Sequence, residues 1–344
     1  MKCCASCFDD RGLRKEIIPL HSKETGGCSY CGTQNVNLVE PRALADYFEL
    51  VLGIYRPAKN GRLLVEWLKD DWAMFSHPAM DLAHCKELLG DILNDGEIVR
   101  ATFAPSELSQ TDRLVRWEKL RQELMYENRF FPQAQIDVER LEVLLSLLIL
   151  DADEIPVTWY RARIQDGDAA YQIEQMGAPP KEVAPHGRAN PAGIPYLYLG
   201  SLDTTAIAEV RPYPGEVVCV ADFTIANDLK IVDLRNPRKQ VSPFLLSDEH
   251  EIALLRGDIG FLEQLGNELT RPILPRGAAI GYIPSQYLGE FVKKCGYNGV
   301  IYRSSVSDGM NLALFHPSRA TIGSVKRYSI IRVSVDVKDF PSKD

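Results

Sequence analysis

Two Cys-x-x-Cys pairs, Cys4-Ala-Ser-Cys7 and Cys28-Ser-Tyr-Cys31, stand 20 residues apart at the start of the chain. A segment of 36 residues cannot bury enough apolar surface to fold unaided, so residues 1–36 need a staple. Two cysteines at this spacing grip one metal ion from a tight turn, and two such turns complete a tetrahedral site that suits Zn²⁺. All four positions are then filled by protein, with no place for an activated water, so the expected zinc is structural. Cys3 competes as a ligand, but Cys4 keeps the Cys-x-x-Cys spacing. Disulfides are not expected. Met1-Lys2-Cys3-Cys4 has no apolar signal-peptide core, which points to a cytoplasmic chain whose thiols stay reduced. Whether the ribbon also touches nucleic acid or a partner protein is open at this point.

The remaining chain has two textures. From 37 to 152 the apolar residues recur at helical spacing: Leu44, Phe48, Val51 and Tyr55 after Pro41; Leu82, Cys85, Leu89 and Ile92; Leu114, Trp117, Leu120 and Leu124; Val138, Leu141, Leu145 and Leu148. Asp81 and Asp137 stand where N-caps satisfy free backbone N–H groups. These stripes read as the core of a small helical bundle, with no chemistry visible in them. From 153 to 344 short strand-like runs alternate irregularly with helices. Strands are expected over Val157–Ile164, Tyr196–Leu199, Leu229–Leu234, Gly299–Arg303, Asn311–Phe315 and Ile330–Val337. Val217, Cys219, Ala221 and Phe223 alternate as in a half-buried strand, and Asp203 or Thr204 is placed to cap a helix. Without regular crossover helices this is an α+β domain, not a doubly wound one. A net charge of −8 gives nucleic-acid backbones no advantage. The longest apolar run, Val143–Leu150, is broken by Ser146 and too short for a membrane.

The familiar nucleotide and hydrolase signatures are missing: no GxGxxG after a strand, no GxxxxGK[ST], no GxSxG and no HExxH. A HEPN-type ribonuclease needs an Arg followed closely by a His on a helix. The nearest spacing, Arg14 to His21, is interrupted by Pro19 within the cysteine segment, and that reading is set aside. Three segments of the second half carry a different pattern. They are Trp159-Tyr-Arg-Ala-Arg163; Gly187-Arg-Ala-Asn-Pro-Ala-Gly-Ile-Pro-Tyr-Leu-Tyr198, followed by Ala206-Ile-Ala-Glu209; and Gly296-Tyr-Asn-Gly-Val-Ile-Tyr-Arg-Ser304, continuing to Asn311-Leu-Ala-Leu-Phe315. In order, spacing and flanking residues, residues 155 to 320 resemble the RES family. The front half resembles, more loosely, the HEPN/RES amino-terminal extension of some members.

That resemblance implies a fold akin to ADP-ribosyltransferases and an NAD⁺ phosphorylase or glycohydrolase, often a toxin restrained by an Xre-type DNA-binding antitoxin. It also implies Arg188, Tyr198, Glu209 and Ser304 as site residues, with Arg161 as a further substrate-binding position. Ser304 is preferred to Ser305 because it lies two past Tyr302. The residue types suit the reaction. Cleaving the nicotinamide–ribose bond passes through an oxocarbenium-like ribose, which the Glu209 carboxylate can stabilise. Arg188 and Arg161 offer planar forks for phosphate oxygens, Tyr198 a ring for nicotinamide to stack on, and Ser304 a hydroxyl for carboxamide or ribose. Phosphate or water then attacks the ribose carbon. Two rival functions share these residues: transfer of ADP-ribose to a macromolecule, and an inactive zinc-containing binding module.

Overall fold

The computed structural model describes residues 1–334 and 337. The chain divides into two compact units, one of residues 1–148 with 236–266, the other of residues 149–235 with those from 267 onward. The linear division of the sequence at 36 and 152 does not anticipate that 236–266 join the first unit. Side chains explain it. Phe244 packs on Phe48, ring centroids 4.8 Å apart, and the fully buried Asp258 carboxylate takes ion pairs from Arg113 at 2.5 Å and Arg140 at 2.9 Å.

In the first unit, β1 (Cys3–Cys4), β2 (Glu24–Gly26) and β3 (Val36–Val39) form a small antiparallel sheet in the order β1-β3-β2. The helices follow the apolar stripes: Ala45–Leu52, Leu64–Trp72, Leu82–Leu93, Arg113–Tyr126 and Val138–Ser146. Asp81 and Asp137 cap two of them, each accepting the backbone N–H three residues on at 2.9 Å. The unit is not purely helical. Tyr55, read as the last residue of a helical stripe, instead opens β4 (Tyr55–Leu63), which pairs with β5 (Thr102–Pro105). Its hydroxyl reaches the Asp71 carboxylate at 2.8 Å, so the ring is buried from a strand.

The second unit is built on a seven-stranded sheet of order β12-β8-β6-β7-β11-β10-β9. Its strands are β6 (Thr158–Ile164), β7 (Leu197–Gly200), β8 (Val217–Ile225), β9 (Ile231–Asp233), β10 (Gly299–Arg303), β11 (Met310–Leu314) and β12 (Ala320–Ser329). Only β9 and β10 pair in parallel among these; the other neighbours are antiparallel, as an α+β domain requires. One face packs Trp159, Leu199, Phe223, Ile301 and Leu312 into a core. Val218 and Val220 face the other way, against Ala206 of the helix Asp203–Glu209. Covering on both sides explains why β8 is buried through Val218–Ala221 and does not show the expected half-buried alternation. The helix start also differs. Leu202 is the cap residue, with no side-chain cap, and Asp203 is already helical. The strand expected over Ile330–Val337 is not formed where it is described. β12 ends at Ser329, residues 330–334 carry no regular structure, and 335 and 336 lie outside the described residues.

Candidate active site

β6 and β7 pair through a single rung, Tyr160 opposite Gly200. Beyond it Arg161 and Ala162 do not meet Leu199 and Tyr198, and in that gap the sheet opens into a cavity of about 320 Å³. Arg161, Arg188, Tyr198 and Glu209 all line it, together with Tyr282, Tyr302 and Asn311. The rung continues across the sheet, with Gly200 opposite Asn311 and Asn311 opposite Tyr302. Gly200 allows a helix to sit on this row: a Cβ there would lie 2.8 Å from the backbone nitrogen of Ala206.

Glu209 is the last residue of the helix Asp203–Glu209. A helix C-terminus disfavours negative charge, and two donors on one carboxylate oxygen offset this. Glu209 Oε1 accepts from Ser304 Oγ at 2.8 Å and from Asn311 Nδ2 at 2.6 Å. No Lys or Arg forms an ion pair with it among the described residues. Arg188 is nearly buried, 9% exposed. Its Nη1 donates to the carbonyls of Leu269 and Arg271 at 3.1 and 2.8 Å, its Nη2 to Ser305 Oγ at 3.2 Å, and its guanidinium lies 5.4 Å from the centre of the Tyr282 ring. The serine doublet is therefore split, Ser304 to the carboxylate and Ser305 to the guanidinium.

The loop carrying Arg188 is pinned from several sides. Tyr198 Oη accepts from the backbone N–H of Ala189 at 2.9 Å and donates to Asn190 Oδ1 at 2.6 Å. Burial raises the Tyr198 phenol above its ordinary value. Asn190 Nδ2 holds the carbonyls of Pro185, Pro191 and Ile194. From the helix Ile283–Lys294, Ser285 Oγ donates to the Arg188 carbonyl at 2.5 Å. Tyr198 thus offers its ring to the cleft while its hydroxyl is committed to the loop.

Arg161 is held differently. Its Nη1 is buried with no hydrogen-bond partner, and no carboxylate pairs with it among the described residues. Burial first, and the nearby Arg163 second, pull its guanidinium down from 12.5 to about 10. Arg163 donates to the Gln175 carbonyl and stacks over Tyr171 at 4.2 Å, so of the two arginines only Arg161 lines the cleft. Sequence reasoning missed Asn311, Asn190 and Tyr282, and weighed Ser305 only as the alternative to Ser304. Asn311 and Asn190 sit inside the quoted motifs, but nothing short of the strand register shows what they touch.

In the first unit the sulfurs of Cys4, Cys7, Cys28 and Cys31 converge, all within 4.8 Å of one another and all buried. Cys4 lies 3.5 Å from Cys31 and Cys7 3.4 Å from Cys28, close to the ~3.8 Å edge of a tetrahedron with Zn–S bonds of about 2.3 Å. These are free thiols, not disulfides. Hydrogen bonds from Cys4 and Cys7 hold the Cys28 thiol well below its ordinary value, and their own thiols are pushed up. Cys3 stands apart from this cluster, its sulfur on the Val39 carbonyl at 3.6 Å.

An α+β domain whose mostly antiparallel sheet parts around a carboxylate and two guanidiniums is thus the second half of the chain. Residues 158–336, just over half of the sequence, match the RES domain, and the chain belongs to the RES-domain family. No curated protein matches it. Among solved structures it is similar to a chain of the M. tuberculosis MbcT–MbcA toxin–antitoxin complex. That likeness has 14% identity and a TM-score of 0.33, and covers 56% of this chain and 91% of that one. Among the described residues, no helix is long and apolar enough to cross a membrane.

Proposed function

We propose that the protein cleaves the nicotinamide–ribose bond of NAD⁺, by phosphorolysis or hydrolysis, in the cleft between β6 and β7. The observation that carries this reading is the buried, unpartnered Arg161 Nη1 in the same cavity as the Glu209 carboxylate. A buried cation without a counter-ion costs free energy unless a ligand supplies the anion, and a dinucleotide brings two phosphate charges. Glu209, with one oxygen fixed by Ser304 and Asn311, presents its carboxylate to the ribose to stabilise a developing oxocarbenium ion. Arg188 is a second phosphate or ribose contact oriented by Leu269, Arg271 and Ser305. The rings of Tyr198 and Tyr282 are the stacking surfaces for nicotinamide. Nicotinamide leaves well without a strong general acid, so the one carboxylate lining the cleft, Glu209, is free to serve the ribose.

The test is product analysis by NMR or mass spectrometry after incubation with NAD⁺, with and without phosphate. ADP-ribose-1″-phosphate identifies a phosphorylase, plain ADP-ribose a hydrolase, and label retained on macromolecules a transferase. Unchanged NAD⁺, or a folded Glu209→Ala variant as active as the parent, refutes the reading. The same proposal gives Cys4, Cys7, Cys28 and Cys31 one structural Zn²⁺, to be checked as one metal per chain by elemental analysis. It also gives the enzyme a toxin's role with a protein antitoxin as partner. Co-expression with a candidate antitoxin, scored by recovery of growth and of cellular NAD⁺, tests that role.

A further inference from the structure

Four tyrosines line the cleft, Tyr160, Tyr198, Tyr282 and Tyr302, and of these Tyr302 alone is buried, 3% exposed. It follows Ile301 in β10, whose side chain enters the core on the other face of the sheet. Directly across the ladder stands Asn311, and residues paired in this way share a face. Asn311 Nδ2 donates to Glu209 Oε1 at 2.6 Å, so Tyr302 stands beside a donor that fixes the carboxylate. The phenols of the cleft are used differently. The Tyr198 hydroxyl is committed twice within the Arg188 loop. That of Tyr302 makes no hydrogen bond to any of the described residues. Nor is it sealed off, as the unpartnered Tyr196 hydroxyl is, so the space it meets is the cleft. Burial first, then Tyr198 and Glu209, raise the Tyr302 phenol well above its ordinary value, against the pull of Arg188. It therefore keeps its proton at neutral pH and is a donor in want of an acceptor. Glu209 has the complementary need. Ser304 and Asn311 both donate to Oε1, and Oε2 has no donor among the described residues.

We propose that Tyr302 is a specificity-determining residue, whose hydroxyl donates to the 2′-hydroxyl of the nicotinamide ribose while that hydroxyl donates to Glu209 Oε2. This rests on Glu209 facing the ribose, as proposed for the reaction. A group that accepts from a phenol and donates to a carboxylate through one atom is a hydroxyl. The 2′-hydroxyl is the one next to the carbon that becomes electron-poor, and hydrogen bonds to it tighten in an oxocarbenium-like transition state. No proton changes owner along this chain; it orients the ribose and selects a sugar that carries the hydroxyl, because without it the phenol and the carboxylate are both left unpaired.

The experiment measures cleavage of NAD⁺ and of its analogue lacking that 2′-hydroxyl, by the full chain and by Tyr302→Phe, with thermal unfolding as the check on folding. Phenylalanine keeps the ring and removes only the hydroxyl. For NAD⁺ the variant should lose about 10- to 100-fold in kcat/KM, mostly in kcat. For the deoxy analogue, parent and variant should agree within about twofold, since the partner of the lost hydroxyl is already gone. The variant should melt no lower than the parent, because the hydroxyl has no partner in the fold. A merely structural role slows both substrates alike. A variant as active as the parent on NAD⁺, an equal loss on the two substrates, or a lower melting temperature overturns the proposal. A parent that cleaves neither dinucleotide refutes the NAD⁺ reading itself, and the role of Tyr302 falls with it.

Discussion

Replacing Arg161 by methionine should make the protein more stable and a poorer binder of its substrate. The Arg161 guanidinium is held down at about 10 from 12.5 by burial and by Arg163, with Nη1 unpartnered. That gap corresponds to roughly 3 kcal/mol, as an upper bound. The folded state holds this proton less tightly than the unfolded one. The penalty is therefore fully present at neutral pH and fades only as pH rises through about 10 toward 12.5. Methionine fills much of the same volume without charge, so Arg161→Met should gain about 1–3 kcal/mol, or some 3–10 °C in melting temperature. The substrate loses a charge-assisted contact worth about 1.5–3 kcal/mol, raising its Kd roughly 10- to 150-fold. The assay is thermal unfolding with and without NAD⁺ in a Glu209→Gln background, so that the dinucleotide is not consumed. The parent should be stabilised by ligand far more than the variant. A variant that melts lower without ligand, or binds NAD⁺ as tightly, refutes the view that this buried cation awaits an anion.

Three further outcomes follow from the geometry. Asn311→Leu removes the 2.6 Å donor to Glu209 and should slow nicotinamide release by about 10- to 150-fold with little change in KM; a rate within twofold of the parent in a folded variant would count against the positioning role. Gly200→Ala drives a Cβ against Ala206 and should cost about 1–3 kcal/mol in chemical denaturation, with activity falling further because the helix bearing Glu209 must move. Asp10 is buried beneath Ser242 Oγ and the Leu13 N–H, and burial raises its carboxyl to about 6 from 3.8. Its folded state binds the proton more tightly, so stability is lost as pH rises from about 4 to 6. Asp10→Asn should flatten that dependence and gain up to about 2 kcal/mol at pH 7, read from urea unfolding across pH.

Local signals carried the first unit well. Asp81 and Asp137 announce helix starts because a cap is a matter of residues within one turn, and the cysteine spacing announces convergence because each pair sits on one tight turn. Tyr55 misled because its spacing suits a helix, while its hydroxyl is claimed by Asp71 across the fold. The run Arg235-Asn-Pro-Arg-Lys239 reads as a solvated loop, yet Arg235 forms a forked pair with buried Asp233, and Arg238 binds Glu263 and the carbonyls of Asp70 and Asp71. The partners of Arg238, 25 to 168 residues away, leave no local trace. β8 is the same lesson in a strand, since its second buried face depends on a helix arriving from Asp203.

The site shows why a motif resemblance can find residues without explaining them. Glu209 comes from a helix end, about a hundred residues before Ser304, just past the end of β10, and Asn311, near the start of β11. What brings them together is one rung of the sheet, Tyr160–Gly200–Asn311–Tyr302, with Gly200 bare enough to admit the helix. The same rung is where β6 and β7 part company, so the step that positions the carboxylate also opens the gap beside Arg161. Extending the β6–β7 ladder by one residue would pair Arg161 with Leu199 and close the gap beside its guanidinium. The short pairing is thus not a defect of the sheet but the feature that leaves the Arg161 guanidinium and the Glu209 carboxylate lining one cavity.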